Sequence, residues 1–195
     1  MSVAEVRKVL GLNSFSEAFN AKYARPTPRE SPAIVNSPAA PVKIRIQDQS
    51  LSFDYAHFLP EIEKCSTIHG HTASLNIEVV GDKVGGGLVV DFGLLKRVAR
   101  EVVSSLDHRI LVCDRYVESR DEGSVSIRFK GRGGDYRIVA PSSQVFISSF
   151  ESTIENIAEF IAESILNRMP ANVKYVRVEV SEGIGKFAES VATRE

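Results

Sequence analysis

Cysteine is scarce in this chain: of 195 residues only Cys65 and Cys113 carry a thiol. One pair in a chain of this length is no disulfide framework, so both read as reduced thiols of a reducing compartment. No apolar run approaches the roughly 20 residues of a membrane span. The N-terminal MSVAEVRKVLGL lacks the long apolar core of a secretory signal. An excess of one charge is missing too, since 24 Lys and Arg stand against 25 Asp and Glu. That balance gives no basic footprint for nucleic acid. The expectation is a cytoplasmic protein with neither membrane nor nucleic acid as a partner.

Proline is rare after the first fifth of the chain. Five of the eight prolines fall between Pro26 and Pro41, a density that no helix or central strand can carry. Residues 1–41 are therefore expected to form an N-terminal arm and linker, with a short helix in AEVRKVLGL at its start. Residues 42–195 are expected to form one folded domain, long enough to bury a real core.

Within that domain the apolar period alternates between two and 3.6. In LSFDYAH, Leu51, Phe53, Tyr55 and His57 share one strand face. In HGHTASLNIEVV, Leu75, Ile77 and Val79 share parity with His69 and His71. Gly85, Gly86 and Gly87 break the pattern. DFGLLKRVAREVVSSL then has helical spacing, with Leu94, Leu95, Val98, Val102 and Leu106 on one stripe and Asp91 as N-cap. SVSIRFK and DYRIVA flank GRGG, which predicts a hairpin. A second helix carries Ile154, Ile157, Ala158, Ile161 and Ile165, with Ser152 and Glu155 at capping-box spacing. YVRVEV predicts a last strand running into Glu182.

The chain has only four histidines, and three form H-x11-H-x-H: His57, His69 and His71. His69 and His71, two apart on a strand, project from one face, and Gly70 between them leaves room for close backbone approach. Three imidazoles with an open fourth position describe a catalytic zinc site, whereas structural zinc is closed by four protein ligands. The alternative is packed, hydrogen-bonded histidines without metal.

Cys65 lies four residues before His69. A thiol beside a divalent cation and an imidazole has its thiolate favoured and can act as a general base; otherwise it is a small apolar filler. Asp107 and His108 form a carboxylate–imidazole pair at the end of the first helix. The pair suits proton relay, or His108 simply favours the helix dipole. Glu182 follows Val176, Val178 and Val180 on one strand face, where a carboxylate is costly unless paired or bound to a ligand; the alternative is a strand-end carboxylate in solvent.

The motifs FDYAHFLP, CSTIHGHT, VVDFGLL, SLDHRIL, STIEN and VEVSEGIGKFAE run in order from Phe53 to Glu189. Together they resemble those of the 6-pyruvoyl-tetrahydropterin and 6-carboxytetrahydropterin synthases. The resemblance implies an α+β tunnelling fold (T-fold): an antiparallel four-stranded sheet with two helices on one face, here with an inserted β-hairpin. It implies a homo-hexamer, a dimer of trimers, with active sites between subunits.

Carried over by position, His57, His69 and His71 match zinc ligands. Cys65 matches the catalytic thiol, and Asp107 with His108 the pair completing the relay. Glu182 matches the glutamate that anchors the pterin ring, and Thr153 and Glu155 part of a second pterin-contacting motif. Three residues between Cys65 and His69 resemble the 6-carboxytetrahydropterin type. That type converts 7,8-dihydroneopterin triphosphate with release of triphosphate and acetaldehyde, and feeds 7-deazapurine synthesis. The alternatives are a 6-pyruvoyl synthase, a dihydroneopterin aldolase-like enzyme, or a non-catalytic zinc- or pterin-binding homologue. The sequence departs from the pattern at Ala73, Ser152 and Gly183, and in a long insertion from about residue 117 to 150.

Overall fold

The computed structural model describes residues 40–194. The expected helix in AEVRKVLGL and the arm up to residue 39 lie outside the described residues. Regular structure begins with strand β1 (Val42–Gln47), followed by β2 (Phe53–His57) and β3 (His69–Gly81). Strands β9 (Val173–Glu182) and β10 (Phe187–Thr193) close the chain. These strands pair antiparallel in the order β10-β9-β3, and both β2 and β1 lie along the other side of β3. β2 meets the first part of β3 and β1 the last part, so together they fill one position of a four-stranded antiparallel core.

Alternation assigns the two faces. On one face the rungs Ile46–Ile77–Val178, Leu75–Val180–Ala188 and Val79–Val176–Ala192 are buried. On the other face Arg45, Glu78 and Arg177 stand opposite one another across three strands. Glu78 is buried by its partners, with Lys43 Nζ at 2.8 Å and Arg45 at 2.9 Å. Hydrogen bonds from these two cations hold its carboxyl below the ordinary range.

Helices α1 (Phe92–Ser104) and α2 (Ile154–Leu166) cover the apolar face. Asp91 caps α1 as expected, accepting from Leu94 N–H at 2.9 Å. The cap of α2 differs from the expected box: Thr153, not Ser152, accepts from Asn156 N–H at 3.3 Å, and Glu155 is exposed. The helix starts one residue later because the Ser152 carbonyl is engaged elsewhere. Ile157, Ile161 and Ile165 are fully buried, each stabilising the fold by about 1.5–3 kcal/mol relative to exposure.

Two short strands extend the core sheet. β4 (Arg109–Cys113) pairs parallel to β2, and β8 (Val145–Ser148) parallel to β4. The insertion between them contains the expected hairpin, β6 (Ser124–Gly131) and β7 (Gly134–Pro141). A third strand, β5 (Val117–Asp121), completes a separate small sheet. Among the described residues no helix is long and apolar enough to cross a membrane.

Candidate metal centre and its surroundings

The β2–β3 pairing builds the site rung by rung. His57 stands opposite His69, Tyr55 opposite His71, and Phe53 opposite Ala73, which in turn faces Glu182 on β9. Odd-numbered positions of both strands point to the helix-covered face, so all three imidazoles emerge at one end of the core. Their ring centroids lie 4.6, 4.9 and 5.1 Å apart. One nitrogen from each falls within 4.8 Å of the others.

Backbone carbonyls orient two of the rings. His57 Nδ1 lies 2.6 Å from the Ser152 carbonyl and His69 Nδ1 2.7 Å from the Thr67 carbonyl. A carbonyl only accepts, so each Nδ1 carries the proton and each Nε2 presents its lone pair. Those two Nε2 atoms are 3.2 Å apart. Neutral imidazoles with converging lone pairs and carbonyl-bonded outer nitrogens could hold a divalent metal ion. Burial lowers the pKa of both His57 and His71, which favours the neutral, ligating form.

Glu182 adjoins this cluster. Its Oε1 lies 3.3 Å from His71 Nε2 and 3.7 Å from His57 Nε2. It also accepts a 2.9 Å hydrogen bond from Tyr55 Oη. Burial, then the Glu182 carboxylate, pushes the Tyr55 phenol far above its ordinary range, so it remains a donor. Sequence reasoning placed Tyr55 on a strand face without a role. Its parity with His57, opposite His71, was the available signal. The adjoining Gly183 has φ +93°, a left-handed turn that glycine enters freely and threonine does not.

Cys65 is half-buried in the loop joining β2 to β3, and its thiol belongs to neither titratable cluster. Asp107 and His108 lie in the turn beyond α1 rather than at its last helical residue. They are bonded to each other, His108 Nδ1 to Asp107 Oδ1 at 2.9 Å. The β2 backbone holds the pair: Asp54 N–H donates to Asp107 Oδ1 at 3.0 Å, and Asp54 C=O accepts from His108 N–H at 2.6 Å. Burial raises the Asp107 pKa, but hydrogen bonds from Asp54 N–H and His108 outweigh it, and the group stays below the ordinary range. His108 itself is left-handed, with φ 55°, uncommon for a residue other than glycine.

The Asp54, Asp107 and His108 side chains form a second cluster. Asp54 alternates with Tyr55 and His57, so this cluster sits on the opposite face from the imidazole triad. The structure thus brings His57, His69, His71 and Glu182 together, and Asp107 with His108. It leaves Cys65 apart from the pair. Thr153 acts as a helix cap, and Glu155 points to solvent.

Residues 47–192 match the 6-pyruvoyl tetrahydropterin synthase family. A putative 6-carboxy-5,6,7,8-tetrahydropterin synthase of Pyrococcus abyssi is 35% identical over 145 residues, covering 72% of this chain and 86% of that protein. A dihydroneopterin monophosphate aldolase of Pyrococcus furiosus is 33% identical over 132 residues, covering 68% and 84%. Among solved structures, the 6-pyruvoyl tetrahydropterin synthase of Plasmodium vivax superposes with a TM-score of 0.67 at 21% identity. The match covers 80% of this chain and 100% of that one. At that identity the likeness establishes the tunnelling fold alone.

Proposed function

The chain belongs to the 6-pyruvoyl tetrahydropterin synthase family, and from that premise we propose that it is a zinc-dependent lyase. Its substrate is 7,8-dihydroneopterin triphosphate and its product 6-carboxy-5,6,7,8-tetrahydropterin, with triphosphate and acetaldehyde released. The observation that carries this reading is the convergence of His57, His69 and His71. Ligands of tetrahedral zinc at about 2.0–2.1 Å lie about 3.3–3.4 Å from one another, close to the 3.2 Å between His57 Nε2 and His69 Nε2. His57, His69 and His71 would hold the zinc, which would supply Lewis acidity toward a substrate hydroxyl and its neighbouring C–H.

The remaining chemistry belongs to side chains. Glu182 accepts from the adjacent N–H donors of the pterin edge, and Tyr55 fixes its carboxylate for that task. Cys65 takes and returns protons. Asp107 orients His108, which serves the thiol as relay partner. Because the pair sits across the sheet from the triad, His108 reaches a thiol belonging to a second copy of the chain. A homo-hexameric, cytoplasmic enzyme with sites between subunits is consistent with that division. Thr153 and Glu155 flank the pterin at the start of α2.

The C-x3-H-G-H spacing from Cys65 and the likeness to carboxy-type relatives support the carboxy product. The likeness to the Pyrococcus furiosus aldolase favours a second reading, retro-aldol cleavage of a dihydroneopterin with release of glycolaldehyde. Incubation with 7,8-dihydroneopterin triphosphate, with products identified by mass, separates the two. Triphosphate and acetaldehyde release, lost in Cys65→Ala, supports the lyase. Release of 6-hydroxymethyl-7,8-dihydropterin with glycolaldehyde triphosphate (or, from unphosphorylated dihydroneopterin, free glycolaldehyde) supports the aldolase, and a zinc-loaded protein without turnover toward either substrate rejects both.

A further inference from the structure

The inserted sheet packs directly on the loop that carries the thiol. Phe58, the residue after His57, stacks on Phe129 of β6 with centroids 3.6 Å apart and planes at 7°. Phe129 stacks in turn on Tyr136 of β7 at 4.7 Å. These rings, with Val125, Ile127 and Val145, form a second hydrophobic core distinct from the one under the helices.

Beyond the rings, the grip centres on Ser66, the neighbour of Cys65. Ser66 is 1% exposed. Its hydroxyl donates to the Glu63 carbonyl at 2.9 Å and accepts from Arg132 N–H at 2.8 Å. One hydroxyl thus closes the loop on itself and ties it to the turn between β6 and β7. Gly131 makes the approach feasible, because a Cβ there would lie 2.4 Å from the Ser66 carbonyl oxygen and 2.9 Å from the Tyr136 ring. Arg132 also pairs with Glu63 at 3.1 Å. Among the described residues, the hydrogen bonds that the side chains of residues 58–68 make to other elements, Ser66 to Arg132 and Thr67 to Tyr136, both end on this hairpin. Thr67 in turn supplies the carbonyl that orients His69.

We propose that the β6–β7 hairpin braces the thiol-bearing loop, and that Ser66 is the positioning residue through which it fixes Cys65. A connection as long as residues 58–68 is mobile unless packed, while a proton-transferring group must be held within about 0.5 Å of its productive place. The insertion supplies that restraint from outside the core sheet. It acts mainly on the loop, since His57, His69 and His71 are all set by β2–β3 pairing; the loop reaches the triad only through the Thr67 carbonyl on His69. The inference rests on Cys65 being the proton-transferring thiol of the proposed lyase.

The test uses the full-length, zinc-loaded protein with Ser66→Ala, Gly131→Ala and the double variant. Readouts are zinc content, kcat and KM on 7,8-dihydroneopterin triphosphate, and the Cys65 alkylation rate by iodoacetamide, with buried Cys113 as internal reference. Each single variant is expected to lower kcat roughly tenfold or more, with KM little changed and zinc retained. Cys65 alkylation should change several-fold, and the double variant should lose little more than either single one, because both break one contact. Folded variants with wild-type kcat and wild-type Cys65 alkylation would overturn the brace. If Gly131→Ala does not fold, Ser66→Ala and the milder Tyr136→Phe decide by the same readouts. A wild-type protein inert toward pterins sinks the proposed lyase alone, because the alkylation rates still decide whether the hairpin controls Cys65.

Discussion

At the scale of single residues, the 2.6 Å bond from His57 Nδ1 to the Ser152 carbonyl does two things. It selects the tautomer that leaves Nε2 free, and it fixes the ring plane. Replacing His57, His69 or His71 by alanine is therefore expected to abolish stoichiometric zinc, measured by elemental analysis of the purified protein. Glu182→Gln should keep the metal and raise KM, because the amide no longer offers two acceptor oxygens to the pterin edge. Acid acts through the same rings. Burial depresses the His57 and His71 pKa values in the folded chain, so the unfolded chain binds more protons as pH falls below the ordinary value of about 6.5. Metal-free protein should hold its full stability above that pH and lose it progressively on acidification toward the lowered folded values. Denaturant midpoints of the metal-free protein between neutral and mildly acidic pH check the sign; a midpoint that rises on acidification refutes it.

At the scale of elements, local chemistry was readable and long-range pairing was not. Period-two alternation identified β2, β3 and β9, and the helices with their apolar stripes followed from 3.6-residue spacing. Asp91 was legible as a cap because nothing competes for it. Ser152 was misread because its carbonyl is taken by an imidazole far away in sequence, which spacing cannot reveal. The short runs RILVC and VFIS gave no alternation to read. They become strands β4 and β8 only through parallel pairing with distant partners. The convergence of three histidines was legible because one hairpin delivers all of them. The Tyr55–Glu182 bond spans 127 positions and was not. Thr153→Ala should destabilise the protein by about 1 kcal/mol, read as a lower urea midpoint at unchanged slope. Ile161→Ala, in the fully buried stripe of α2, should cost about 2–5 kcal/mol.

At the scale of the whole molecule, the sheet separates two halves of the proposed chemistry. The imidazole triad and Glu182 lie on the helix-covered face, and Asp107 with His108 on the other. The proposed relay between Cys65 and His108 is then expected to run between two chains. Cys65→Ala and His108→Ala should each be inactive alone. Mixed under conditions that exchange subunits, they should recover a fraction of wild-type turnover, since some interfaces then hold one intact thiol and one intact imidazole. Equal inactivity of the mixture, with subunit exchange verified by native mass spectrometry, would place the relay within a single chain.

The five rungs from Phe53–Ala73 to His57–His69 bear on how the centre comes into being. Side chains switch faces at every step along a strand, so a slip by one position turns all the imidazoles of one strand away from those of the other. A slipped or unformed pairing leaves only the His69–His71 pair of β3, one imidazole short of the full set. Tight metal capture during refolding should consequently timestamp the closing of this hairpin, and a chelating dye strong enough to outcompete two imidazoles would serve as its clock.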